Sequence, residues 1–513
     1  MRALRLGLLA APLLLAATAI RQSDPVDWAT VARIREEGLQ HSQVMEFEGY
    51  IADVLGARLT NSRDMIRAQT WLMATMDSIG LSNVTAEPFM DYGVTWDNEF
   101  TSLHLLEPDY QPMVGYPVAH TPGTNGEVTA TAIIAELKTR GDLERFRGRL
   151  KGMAVLISPP AVIDLAPLTN GVPRRSAAEL EAIQNTTIAP LRAPSAGNPP
   201  NPDLISAAER MQFFKEEGVA ALLQCESGWL GAVRGFSRPG SQGDRWSLAG
   251  NLASPPIIAI TPEHYNRMYR ILKRGIPVKV GLEVRNVMGD TVIQARNILG
   301  EIPGSDLKDQ IVMMGAHFDS WHASPNASDN ASGVAVVLEA ARILKAIGAK
   351  PRRTIRIALW SGEEQGLFGS RAYVARHFGN PRDPKVGEGP EYKNLSAYFN
   401  QDYGSGQYLG IYLQGNEAAR GMFTSWMEPF RDLGMTVVSN QSLGSTDHVP
   451  FDDVGLPGFQ FLQDHTPGQG GHTNLDFYDT IQSQDLMKNA VIMAAYVWHA
   501  AISDSMVPRK LQR

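Results

Sequence analysis

Apolar positions recur along this chain in two rhythms, and the changes of rhythm mark its parts. Over residues 28–55 and 64–79 the spacing is helical; in the second segment Met65, Ile66, Trp71, Leu72, Met76 and Ile79 repeat at intervals of three to five residues. Asn61-Ser62 offers an N-cap and Gly80 follows the last turn, so both segments read as packing helices. Residues 81–106 alternate apolar and polar positions in short pieces, which predicts strands at a sheet edge, with His104 a structural residue on one of them. Between 127 and 287 the texture changes. Short apolar runs at 131–135, 152–157, 219–223, 255–260 and 278–284 predict buried strands, and 204–217 and 264–274 predict helices. The Pro-, Ala- and Asn-rich stretch 158–202 predicts an irregular loop. From 310 onward strands (310–315, 354–360, 395–400, 458–462) alternate with helices (332–347, 366–376, 417–433), and an apolar helix at 484–501 closes the chain. That order predicts an α/β fold with a mostly parallel central sheet sandwiched by helices. The 127–290 block predicts an inserted smaller α/β or β-rich unit, between an N-terminal helical part at 20–126 and a main unit at 291–513.

Length and charge narrow the picture. At 513 residues the chain exceeds what one core organises. A net charge of -7 with scattered basic residues gives no footprint for nucleic acid. Arg2 and Arg5, an apolar run over 6–17 and Ala17-Thr18-Ala19 predict a leader at 1–19, cleaved after Ala19, and hence a secreted or periplasmic protein with no membrane span in the mature chain. Cys225 is the only cysteine, so core packing and bound metal, not an intrachain disulfide, must supply stability. The Asn-x-Ser/Thr matches at Asn83, Asn185 and Asn326 are ordinary surface or loop sequence.

The candidate chemistry sits at the ends of the predicted strands. One apolar run ends in His317-Phe-Asp319 and another leads to Glu363-Glu364, while Asp402 follows a third. Asp329 lies ahead of the helix beginning near Ser332, and His472 lies in a Gly-rich segment. Nitrogen and oxygen donors of this mixture suit zinc, with cobalt or manganese as substitutes. Within the His-x-Asp pair one residue is free to bind metal while the other accepts the second imidazole N–H. Asp329 has two readings, helix N-cap or bridging carboxylate. Adjacent Glu363 and Glu364 make sense where a cation neutralises one and the other moves a proton.

Gly-Ala-His-Phe-Asp-Ser, Ser-Asp-Asn-Ala-Ser-Gly, Trp-Ser-Gly-Glu-Glu-Gln-Gly, Asn-Gln-Asp, Ser-Thr-Asp-His-Val-Pro-Phe and His-Thr-Asn-Leu-Asp, spread in this order over 297–481, resemble the motifs of the M28 family of zinc peptidases. The whole plan is similar to that family's carboxypeptidase Q branch and to its secreted aminopeptidases, with the insert resembling a protease-associated domain. The resemblance implies two zinc ions: His317 and Asp402 on one, Glu364 and His472 on the other, Asp329 bridging both. It makes Glu363 the general base and Asp319 the orienter of His317, and places Asp447 and His448 beside the substrate. His322, His377 and His465 match no motif, and Trp321-His322 is a candidate for lining the cleft. The function implied is an exported di-zinc metalloexopeptidase cleaving short peptides by a metal-bound hydroxide, an aminopeptidase or dipeptidase; its partners are those peptides, and a homodimer stays open. Two other readings share the fold: a glutaminyl-cyclase-like acyltransferase with a single zinc, and a catalytically silent receptor-type ectodomain, which predicts eroded ligands where this chain keeps all five.

Overall fold

In the computed structural model the described residues are 25–165, 173–187, 201–234, 246–466 and 471–510. The leader at 1–19, residues 166–172 and 188–200 of the 158–202 stretch and the 467–470 part of the Gly-rich segment lie outside the described residues. Among the described residues no helix is long and apolar enough to cross a membrane.

The first of two eight-stranded sheets has the order Ser82–Gly93, Ile293–Ile302, Arg353–Trp360, Leu307–His317, Leu395–Asn400, Gly458–Gln463, Tyr408–Tyr412, Val437–Ser439. Its four middle strands, Arg353–Trp360 through Gly458–Gln463, run parallel. Antiparallel neighbours flank them on both sides. Alternation within one strand feeds two cores. Val312, Met314 and Ala316 face the cluster built with helices Ser332–Ala346 and Ser483–Ile502. Ile311 and Met313 face Tyr373, Phe378 and Phe451 on the other side. Burial on both faces explains why these strands read as unbroken apolar runs. The N-terminal helices Trp28–Gln40 and Arg63–Ile79 pack on the first of these cores, the latter capped by Ser62, whose hydroxyl accepts the Met65 N–H at 3.0 Å.

The second sheet, with the order Gln111–Pro112, Trp96–Glu107, Lys279–Met288, Val128–Ile134, Ala154–Leu156, Ala221–Gln224, Ile257–Ile260, Gly115–Pro117, encloses its own cores. Its membership differs from the expected boundary at 127, because Trp96–Glu107 pairs along its length with Lys279–Met288 and belongs here, not to a helical N-terminal part. A second difference lies inside the stretch expected to be irregular. Ala177–Gln184 is a helix, nucleated by a reciprocal cap in which Ser176 and Glu179 each bond the other's backbone N–H. It leaves its own sheet and packs Leu180 and Ile183 against Tyr412, Val437 and Leu462 of the first.

His377 closes the seam between the first edge strand and the layer behind it. Its Nε2 meets Glu87 at 3.0 Å and its Nδ1 meets Glu391 at 3.1 Å. Arg356 joins Glu391 (2.9 Å) to Glu301 (2.8 Å). Burial alone would depress the imidazole, but the two carboxylates outweigh it and raise it to about 9. An unfolded histidine titrates near ~6.5. The contribution is therefore complete below that pH and disappears as pH rises through about 9. Its ceiling is about 3 kcal/mol, less what solvent screens. A His377→Gln variant should unfold at lower urea than the parent near about pH 6, and the gap should close near about pH 10; an equal gap at both pH values would show that the imidazolium is not the cause.

Candidate metal centre

In a sheet of this kind, ligands collect beyond the carboxyl ends of neighbouring parallel strands. The register here brings three such ends level. Leu307–His317 lies between Arg353–Trp360 and Leu395–Asn400, with His317 opposite Trp360 and Gly315 opposite Asn400. The chain leaves each strand on the same side, carrying His317, the Glu363-Glu364 turn and Asp402 to one place.

Asp329 arrives from the following segment. At the head of helix Ser332–Ala346 the side chain that bonds a free backbone N–H is its neighbour's: Asn330 Oδ1 accepts the Gly333 N–H at 3.0 Å. That leaves the Asp329 carboxylate free for the cleft, and the helix cap is not its role. Its backbone is tied from behind, since the Asp476 carboxylate accepts the N–H of Ser328 (2.8 Å) and of Asp329 (3.1 Å). The buried Arg58 guanidinium donates to the carbonyls of Phe318 (2.8 Å), Pro325 (2.9 Å) and Asn326 (3.3 Å), fastening the rest of the segment.

Two donor groups result. His317 Nε2 lies 3.4 Å from Asp329 Oδ1 and 3.6 Å from Asp402 Oδ1. His472 Nε2 lies 3.0 Å from Asp329 Oδ2 and 2.8 Å from Glu364 Oε2. Within each trio one donor atom from every residue lies within 4.8 Å of the others, the spread that one ion spans. Asp329 belongs to both trios and turns a different oxygen to each.

The electrostatics of the centre fit a cation. Burial, then the Asp329 charge, raises Glu364 to about 7. Burial and the neighbouring carboxylates raise Glu363 well above the usual range. Burial opposes the charged form of both histidines, yet Glu363 and Asp402 push His317 well up, and Glu364 and Asp329 raise His472 to about 11. All these shifts express one imbalance, four carboxylates around two imidazoles in a buried place, which added positive charge corrects. Glu364 Oε1 is buried with no hydrogen-bond partner, as an oxygen aimed at a cation would be.

Asp319 and the Asp447-His448 pair differ from expectation. The chain leaves the extended conformation after His317, so the His317 Nδ1 meets the Asp319 main-chain carbonyl (3.0 Å), while the carboxylate stands off at 3.7 Å. That carboxylate instead accepts the N–H of Glu363 and of Glu364, both at 3.2 Å, and the Thr60 hydroxyl at 3.1 Å. Asp319 thus orients the Glu-Glu turn. Asp447 and His448 have no exposed surface and line no part of the cleft; Ser370 donates to Asp447, and His448 packs against Gln414 and Leu443. Their expected place beside substrate is corrected accordingly. Trp321 and His322 also miss the cleft, because His322 Nε2 is bound to the Pro117 carbonyl at 2.7 Å and its ring meets Trp96 edge-on.

The centre opens into a cleft of about 720 Å³. Its lining also includes Arg175, Tyr403, Tyr412 and His465, none of which any motif singles out.

The sequence model of peptidase family M28 matches residues 297–497, a span that contains every member of both donor trios. Residues 297–497 are a peptidase family M28 domain. Carboxypeptidase Q of Xenopus laevis, 23% identical over 466 residues, covers 89% of this chain and 85% of its own length. Among solved structures, a peptidase M28 precursor from Shewanella amazonensis superposes with a TM-score of 0.67 at 21% identity, covering 94% of this chain and 99% of that one. BSAP, a zinc aminopeptidase from Bacillus subtilis, does so with a TM-score of 0.56 at 19% identity, covering 91% and 97%. The fold shared with these structures therefore takes in far more of the chain than the matched segment.

Proposed function

We propose that this M28 peptidase is an exported di-zinc exopeptidase that hydrolyses short peptides. The observation that carries the reading is Asp329, one carboxylate with an oxygen turned to each of two His-and-carboxylate trios. In this reading His317 and Asp402 would hold one ion, Glu364 and His472 the other, and Asp329 would be shared by both. The naming of BSAP as a zinc aminopeptidase supports zinc, although the donor set also accepts cobalt or manganese. Two such ions supply a water of lowered pKa and a polarised scissile carbonyl.

The chain's own groups do the rest. Glu363 lines the cleft with Oε2 4.0 Å from His317 Nε2, close enough to the trio to take a proton from the attacking water and return it to the leaving amine. Bound cations would draw its raised pKa back down, so that it starts as a base. Asp319 fixes the turn that aims it. The second sheet's unit, read as a protease-associated domain, contributes Arg175 to the cleft wall. Arg175 is the one lysine or arginine among the described lining residues, and its Nε is taken by the Gln463 carbonyl at 3.0 Å. The rest of the guanidinium suits a carboxylate, which favours substrates short enough to bring their C-terminus there, and so a dipeptidase over a general aminopeptidase.

The second trio argues against the single-zinc acyltransferase, and the intact donor set against a silent ectodomain. The test is a free dipeptide, its N-acetyl derivative and its C-terminal amide, given to the metal-loaded protein. Acetylation removes the cation that an acidic centre attracts and should abolish cleavage. Amidation should raise KM about 10–100-fold, the worth of one charged hydrogen bond, and Arg175→Gln should do the same to the free dipeptide alone. Equal cleavage of the acetylated and free peptides, or of none of the three, would count against the reading.

A further inference from the structure

His472 stands on neither a strand nor a helix, and its φ of +59° lies in the left-handed region that a side-chain-bearing residue occupies at a cost. Such a conformation persists where surrounding structure over-determines it. Much of that structure comes from the second sheet's unit. Thr473 forms an antiparallel bridge with Arg234. The Asn474 N–H donates to the Val233 carbonyl at 3.0 Å. Its side chain then uses both ends of the amide on the same segment: Oδ1 accepts the Val233 N–H at 2.5 Å, and Nδ2 donates to the Gly231 carbonyl at 3.1 Å. Thr473 and Asn474 are both buried under this contact.

The same unit also holds the other flank of the His472 segment. The Arg175 N–H donates to Asp464 Oδ1 at 2.8 Å, and Arg174 Nη1 reaches Asp464 at 3.4 Å and Asp485 at 2.7 Å. His317, Asp402 and the Glu-Glu turn need no such help, because they stand at the ends of strands in the first sheet. The two halves of the centre are therefore supported differently.

We infer that the second unit is the positioning element for the Glu364/His472 half of the metal centre, acting through Asn474, and is not a detachable cover over the cleft. This rests on the two-metal reading above. A zinc–nitrogen bond tolerates a few tenths of an ångström around ~2.0–2.1 Å, so a looser His472 segment loses affinity at that half alone. Removing an outer support of a ligand costs about 10–100-fold in metal affinity.

The experiment is zinc titration of metal-stripped full-length protein, by calorimetry or against a chromophoric chelator, for the parent, Asn474→Ala and Asn474→Asp. Asp402→Ala and Glu364→Ala assign each binding step to its half. The parent should show two steps. Asn474→Ala should weaken the Glu364/His472 step about 10–100-fold and leave the other within about twofold. Asn474→Asp keeps the acceptor and loses the donor, and should fall between the two; it serves as the deciding variant if the alanine protein does not fold. Steps that both hold at parental values, or that weaken together with a falling unfolding temperature, overturn the inference while leaving the two-metal reading in place. A single step in the parent overturns both.

Discussion

Glu363→Gln is expected to bind two equivalents of zinc and to lose about 10²–10⁴-fold in turnover, the usual worth of a positioned acid–base group. Glutamine keeps the length and the polar tip but neither accepts nor returns a proton. Glu363 belongs to neither donor trio, so its removal should leave stoichiometry untouched. Asp319 grips the backbone N–H of Glu363, so the turn itself should also stay in place. Elemental analysis and steady-state kinetics on the same preparation decide the matter. Loss of a metal equivalent would move Glu363 into the ligand set, and parental turnover would remove it from the chemistry.

Asp329→Asn should have an effect as large with a different signature. The two oxygens of Asp329 face His317 and His472 at 3.4 and 3.0 Å. An asparagine offers one oxygen and, at the other position, an NH₂ group that repels a cation. Stoichiometry should fall from two ions to one or fewer. Turnover should fall at least about 10³-fold, because several kcal/mol of charge stabilisation go with the lost ion. The substitution should not unfold the helix behind it, since Asn330 and not Asp329 bonds the Gly333 N–H. Unchanged occupancy at both halves would remove the bridge from the centre.

The hydrophobic pattern reveals the middle of the first sheet because those strands are buried on both faces and appear as plain apolar runs. It passes over Tyr408–Tyr412 and Val437–Ser439, which are short, with Gly410 interrupting the former where a β-carbon would meet the Val437 carbonyl. The Ala177–Gln184 helix is hidden for another reason. It is eight residues long in a Pro-rich neighbourhood, and its apolar side is satisfied by the far edge of the other sheet, which no local window contains. Likewise, the convergence of His317, Glu364 and Asp402 follows from strand ends, whereas Arg175 reaches the cleft through that same long-range docking. The expected Asp319–imidazole pairing is present only as a 3.7 Å ion pair, because it assumes two more residues of extended chain than the strand has.

The pairing of Ser82–Gly93 with Ile293–Ile302 joins two parts of the sequence separated by an entire second sheet. A recombinant fragment trimmed to the family-matched segment 297–497 would lack that strand and much of its partner, and would also lose Arg58. It would present a raw sheet margin with open N–H and C=O groups, the template on which chains stack into aggregates. The stretch that holds every proposed ligand is thus unsuited to expression by itself, and biochemical work on the peptidase has to begin with both sheets in one polypeptide.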